Sequence, residues 1–239
     1  MNLDAIFFGA HPDDAELSCG GTIAKMVSGR KKIGIVDLTA GEMGTRGSRE
    51  TRFEELKKAG RILKISVREN LGIKDGWIEN NKINQLKVIK IIRKYKPGII
   101  FMPYQNDRHP DHTNANRLVR ESAFYSGLLK LKTSLSGKAQ QAFRPKKNFY
   151  FMQTFTFEPS FIVDITEHFD IKMQAVRCYA SQFYNPDSKE PETFISDKKF
   201  MEYLEARAAF YGFRIGVKYG EPFYCEDNLK LDIESIFNC

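Results

Sequence analysis

Three of the four histidines in this chain fall in two short, carboxylate-rich tetrapeptides, His11-Pro12-Asp13-Asp14 and His109-Pro110-Asp111-His112. Imidazole nitrogen and carboxylate oxygen are the donors of catalytic zinc sites, which take three protein ligands and keep a further position for water or substrate. His11, Asp14 and His112 provide such a set, and the spacing of three places His11 and Asp14 on one side of a helical first turn. Asp13, His109 and Asp111 are left for other work. A carboxylate beside a metal can take the proton of a water whose pKa the ion has lowered to about 7, and Asp13 is the candidate. The same aspartate would equally suit a helix N-cap. Protonated His109 could stabilise an oxyanion or protonate a leaving amine, with Asp111 orienting it and raising its pKa.

Arginines form a second constellation. Arg46, Arg49 and Arg52 recur every three residues across the end of the glycine-rich run Gly41–Gly47 and the start of the second helix, and Arg108 adjoins the second histidine cluster. Guanidinium pairs bidentately with carboxylate or phosphate, so arginines gathered at one crevice suit an anionic substrate. The bland alternative is a solvated helix start paired with Glu50, Glu54 and Glu55. The glycines of the loop permit close backbone approach to a ligand, or merely a flexible turn.

Elements able to position these groups alternate along the first half of the chain. Apolar runs at 4–9, 32–39 and 99–103 read as buried strands, and helical periodicity marks 14–28, a stripe from Phe53 to Leu63, and 83–95, which Pro97 and Gly98 stop. Repeated β-α-β units of this kind predict an α/β, Rossmann-like three-layer sandwich with a mostly parallel sheet and right-handed crossovers. Both histidine clusters follow predicted strands, at the carboxyl ends where such sheets build their sites. The later part reads as strands at 148–156 and 161–165 and helices at Thr166–Ala180 and about Ser196–Tyr211, a C-terminal elaboration of one domain spanning 1–239. His168 reads as a surface or capping residue, Cys19 as a small core residue, and Trp77 with the Phe149–Phe161 segment as core or subunit contact.

The chain has 239 residues, 42% of them hydrophobic, enough for a sizeable core and unlike a disordered or collagenous composition. A formal net charge of +7 raises the question of nucleic acid. The basic strings, Arg30-Lys31-Lys32 and Arg144-Pro145-Lys146-Lys147, are scattered solvated positions, so no nucleic-acid partner is expected. Cys19, Cys178, Cys225 and Cys239 form no C-x-x-C pair, against a zinc ribbon or redox motif. A dinucleotide fingerprint, a signal peptide and an apolar run long enough for a membrane are all missing, so a cytoplasmic protein is expected.

His-Pro-Asp-Asp-Ala-Glu at 11–16 with His-Pro-Asp-His at 109–112 resembles the PIG-L/LmbE-like zinc deacetylases. The resemblance extends to the run from Asp37 to Gly47, Asp107-Arg108, Tyr179–Phe183 and Glu205-Ala206-Arg207, nearly the whole chain. It implies one Zn²⁺ per subunit on His11, Asp14 and His112, Asp13 as general base, and His109 as transition-state stabiliser or acid. It implies Arg52 facing the substrate amide or sugar, with Arg108 and, more weakly, Arg144 on an anionic aglycone. The substrate implied is a small anionic sugar, the N-acetylglucosaminyl malate of bacillithiol biosynthesis, with other small N-acetyl sugars as the alternative. Homo-oligomers, trimers or hexamers, are implied as well.

Overall fold

The computed structural model describes residues 1–230, and Cys239 lies outside them. Its frame is a seven-stranded sheet in the order β3-β2-β1-β4-β7-β9-β8. β1 (Ala5–Gly9), β2 (Ile33–Asp37), β3 (Val67–Asn70), β4 (Ile99–Pro103) and β7 (Lys147–Phe151) run parallel, while β9 (Gly220–Tyr224) is antiparallel to both β7 and β8 (Phe161–Asp164). β5 (Ser134–Leu135) and β6 (Lys138–Ala139) form a separate two-residue ribbon.

β1 and β2 are buried at every position, as strands covered on both faces must be. Alternation along β1 then splits the core in two. Ala5 and Phe7 face α1 (Asp14–Ser28), α2 (Arg49–Ile62) and α5 (Phe169–Val176); Ile6 and Phe8 face α3 (Lys82–Tyr95) and α4 (Pro110–Ser126). Phe7 stacks on Phe101 of the neighbouring β4 at 4.2 Å between ring centroids. Burying a ring of this size contributes roughly 1.5–3 kcal/mol. α6 (Phe200–Phe213) packs Leu204 into the first of these cores. No described helix is long and apolar enough to cross a membrane.

The three-layer α/β reading holds, with the strands and helices of the first half close to their expected places. α2 starts at Arg49, four residues before the apolar stripe, because the Ser48 hydroxyl accepts from the Thr51 N–H and caps it. The strand expected over 148–156 ends at Phe151, where the chain turns so that Thr154 and Phe155 donate to the Asp107 carboxylate. The expected helix 166–180 is a 3₁₀ turn, Thr166–His168, running into the shorter α5. Trp77 is 62% exposed and is not core, whereas Cys19 is fully buried and His168 sits at the surface beside the Ser28 hydroxyl.

β9 ties the end of the described chain to its beginning. Its Glu221 is buried, accepts from the Gly21 and Thr22 N–H groups inside α1 at 3.0 and 2.7 Å, and pairs with buried Lys172 of α5 at 2.6 Å.

Candidate metal and deacetylation site

The strand order reverses around β1: β2 and β3 extend to one side, and β4 with β7 to the other. Such a reversal opens a crevice at the strand carboxyl ends. His11 and Asp14 follow β1, Asp107 to His112 follow β4, and Gln153 follows β7; His11, Asp14, His112 and Gln153 all stand on the wall of one cavity of about 470 Å³. Met43, Gly44 and Thr45 of the glycine-rich loop form another wall, and Arg108, Phe194 and Tyr203 stand among the remaining lining residues.

Ligand atoms of His11, Asp14 and His112 lie within 4.8 Å of one another. His112 Nε2 and Asp14 Oδ1 are 3.4 Å apart, against about 3.3 Å for two donors on one tetrahedral zinc at bond lengths near 2.0–2.1 Å. Asp107 holds His112 Nδ1 at 2.8 Å, which turns Nε2 toward Asp14. Asp75 lies 3.0 Å and Asp111 3.4 Å from His11 Nε2, so its Nδ1 is left toward Asp14, 3.7 Å away. The donor set therefore fits a divalent ion. His11, His109 and Asp111 form a second close group, but the Asp111 oxygens already accept from the Gly76 and Ile78 N–H groups.

The electrostatics follow from burial and these contacts. Burial alone would depress both histidines, yet their carboxylate partners hold His11 at about 10 and His112 at about 9 in the metal-free protein. Asp14 is pulled far down against its burial by the same histidines, and Asp75 and Asp107 fall to about 2. Asp13 moves the other way: burial pushes its carboxyl well above the usual carboxylate range, against the pull of Arg52 and with help from the Asp14 charge.

Asp13 occupies the N-cap position of α1 at φ 107° but makes no side-chain capping bond, so the N-cap alternative fails. A non-glycine residue there is strained, which marks a position held by its surroundings. Arg52 holds it: the guanidinium donates to the Pro12 carbonyl at 2.7 Å, the Gly41 carbonyl at 3.1 Å and Asp13 Oδ2 at 3.3 Å. Gly41, at φ +67°, makes this possible, since a Cβ there would lie 2.1 Å from Arg52 Nη1.

Two expectations need correction. Asp111 does not orient the His109 ring; its carboxylate serves His11 and the turn at 76–78, and only its backbone N–H reaches His109 Nδ1, at 3.2 Å. His109 accordingly has its pKa lowered, by burial and by the neighbouring positive histidines, and the Asp111 N–H donating to Nδ1 leaves Nε2 as the ring's donor position. Arg144 is not brought to the cavity. It lies over the Phe124 ring at 4.3 Å and donates to the Phe124 carbonyl at 3.0 Å, twelve residues or about 18 Å along α4 from His112. Of the arginine triplet only Arg52 lines the cavity: Arg46 is buried against the Ser181 carbonyl, and Arg49 is exposed.

Asp75 and Gln153 are the site residues that sequence reasoning missed. Asp75 follows β3, a strand whose polar Val-Arg-Glu-Asn gives no apolar run, so its loop could not be assigned to the crevice. Gln153 was hidden in an aromatic segment that reads as core.

Comparison with known proteins agrees with this geometry. The family described as GlcNAc-PI de-N-acetylase, PIG-L, matches residues 6–123, which contain both histidine clusters. Diacetylchitobiose deacetylase of Thermococcus kodakarensis is 30% identical over 223 residues, covering 88% of this chain and 78% of its own. The chain belongs to the PIG-L family. As a PIG-L protein it is an N-deacetylase, a hydrolase of amide bonds. Among solved structures, the conserved protein TT1542 from Thermus thermophilus superposes with a TM-score of 0.86 at 35% identity over 96% of this chain and 97% of that one. The N,N'-diacetylchitobiose deacetylase from Pyrococcus horikoshii does so with a TM-score of 0.78 at 29% identity, over 92% and 82%.

Proposed function

We propose that this PIG-L protein is a zinc-dependent deacetylase of a small N-acetylglucosaminide with an acidic aglycone, N-acetyl-α-D-glucosaminyl L-malate of bacillithiol biosynthesis being the specific substrate. The observation that carries the acidic aglycone is Arg108. It lines the cavity, lies over the Phe194 ring at 4.4 Å and makes no ion pair among the described residues, so its charge is available to a carboxylate. Membership of an N-deacetylase family supports the reaction, and the sequence resemblance supports the malate.

His11, Asp14 and His112 would hold the ion, which when bound supplies Lewis acidity toward the acetyl carbonyl and the attacking water. Asp13, raised by burial and fixed by Arg52, takes the proton of that water. Neutral His109 donates from Nε2 to the oxyanion that develops on the acetyl carbonyl. The C–N bond then breaks, the amine leaves with the proton that Asp13 returns, and acetate follows. Arg52 lines the cavity and acts by positioning Asp13. The reading includes a cytoplasmic homo-oligomer; free thiols at Cys19, Cys178 and Cys225 and exposed Phe210 and Phe213 on α6 suit it.

A second reading, a neutral chitobiose-like disaccharide, rests on the aromatic wall of Phe194, Phe200 and Tyr203. Acetate release from N-acetylglucosaminyl malate, N-acetylglucosamine and diacetylchitobiose separates the two. The acidic substrate is expected to have the highest kcat/KM, with Arg108→Ala raising its KM alone. A preference for the disaccharide that Arg108→Ala leaves untouched would overturn the acidic aglycone.

A further inference from the structure

We propose that Gln153 is a metal ligand, its amide oxygen joining His11, Asp14 and His112 on the same ion; the inference rests on the metal reading above. β1, β4 and β7 are adjacent and parallel, and the segment beyond each reaches the same point of the cavity. The first delivers His11 and Asp14, the second His112, and the third delivers Gln153.

The Gln153 amide nitrogen stands 2.7 Å from Asp14 Oδ1 and 3.2 Å from His112 Nε2, two atoms that are themselves 3.4 Å apart. The two sides that meet at His112 Nε2 are close to the separation between ligands of one tetrahedral zinc, and the third is the shorter one of a hydrogen bond. The nitrogen donates to Asp14, and so sits on an oxygen that the metal needs. Its partner atom, Gln153 Oε1, is buried and has no hydrogen-bond partner among the described residues. A buried amide oxygen without a partner costs about 1–3 kcal/mol. A half-turn of the amide exchanges the two atoms. Oxygen then stands where nitrogen stood, where an ion between it, Asp14 and His112 would give it a partner and the Asp14 oxygen is released to the same ion.

The surroundings hold the backbone of this side chain in place. Arg207 donates to the Gln153 carbonyl and to the Leu17 carbonyl of α1, so α6 fixes Gln153 to the helix that carries Asp14. Asp107, the partner of His112, accepts from Thr154 and Phe155 directly after Gln153. One carboxylate thus orients both the imidazole and the segment that brings the amide to it.

The alternative is that Gln153 serves only as a donor to Asp14. Zinc affinity of the stripped full chain, by competition with a chromophoric chelator, and the visible spectrum of the cobalt-loaded protein distinguish the roles without recourse to activity. The wild type is expected to bind. Gln153→Ala should weaken zinc about tenfold or more and shift the cobalt bands, while Gln153→Glu, which keeps an oxygen donor, should bind at least as tightly as wild type. Unchanged affinity and spectrum in a folded Gln153→Ala protein would overturn the proposal. So would weaker binding by Gln153→Glu, since a donor-only role places two carboxylates against each other. Failure of the wild type itself to bind would overturn the metal reading, and this proposal with it.

Discussion

The Asp13 carboxylate and the Arg52 guanidinium meet at 3.3 Å inside the protein, and the carboxylate still titrates above its usual range. The remaining Arg52 contacts explain why. Two of its N–H groups go to the Pro12 and Gly41 carbonyls, and its Nε is buried without a partner among the described residues. Arg52 therefore grips the strained backbone around Asp13 as firmly as it grips the carboxylate. The acid is held in place without being fully stabilised as an anion, which leaves it basic enough to accept a proton.

Asp13→Asn keeps the side-chain shape and removes the proposed base. The expected outcome is a fall in kcat of about 10²–10⁴-fold with metal content per chain unchanged, read by acetate release and elemental analysis on the same sample. Loss of metal along with activity would instead make Asp13 part of the metal shell.

Asp107→Ala leaves all three candidate ligands in place but frees the His112 ring and releases the Thr154 and Phe155 N–H groups. Outer partners of this kind are worth about 10–100-fold in metal affinity. Chelator competition should show a loss of that size, and excess zinc should restore part of the activity. An unaltered affinity would mean that packing alone orients His112.

Glu221→Ala tests the stitch between β9, α1 and α5. Lys172 would be left charged and buried, a change that costs about 3–5 kcal/mol, and two α1 N–H groups would lose their acceptor. Thermal unfolding should drop by roughly 10 °C. A shift of only a degree or two would show that water replaces the carboxylate.

A pH effect is expected away from the site, at Glu69. Partial burial raises its pKa, but hydrogen bonds from Lys94 and Tyr95 outweigh this and the group is lowered overall. Its stabilising contribution is therefore present above the unfolded carboxylate pKa and is lost as the pH falls through the depressed folded value. The pair is partly exposed, which keeps the effect at about 1 kcal/mol or less. The Tm gap between wild type and Glu69→Gln should be measurable at pH 7 and close by pH 3; a constant gap would remove the charge from the explanation.

Much of this architecture was legible because its strands are buried on both faces and so appear as continuous apolar runs, as in Ala5–Gly9 and Ile99–Pro103. The histidine clusters were legible because each directly follows such a run. β3 and β9 were not: Val-Arg-Glu-Asn looks like a loop, and Gly-Glu-Pro-Phe-Tyr carries a proline and a carboxylate whose partners lie about 50 and 200 residues away. Missing β3 concealed Asp75. The role assigned to Asp111 failed for a related reason, because sequence proximity suggested His109 while the folded chain presents His11 and the turn at 76–78. Arg144 shows the same limit, since a cationic residue gives no sign of which end of a helix it will meet.

Glu221 also bears on how the protein is made. Both histidine clusters have left the ribosome long before β9, yet the helix that begins at Asp14 has two backbone amides waiting for a carboxylate some 200 positions downstream. The nascent chain thus owns every candidate ligand before it owns the strand that locks their scaffold. A chain stalled short of residue 221 should therefore carry the complete motif without the carboxylate that ties its scaffold together.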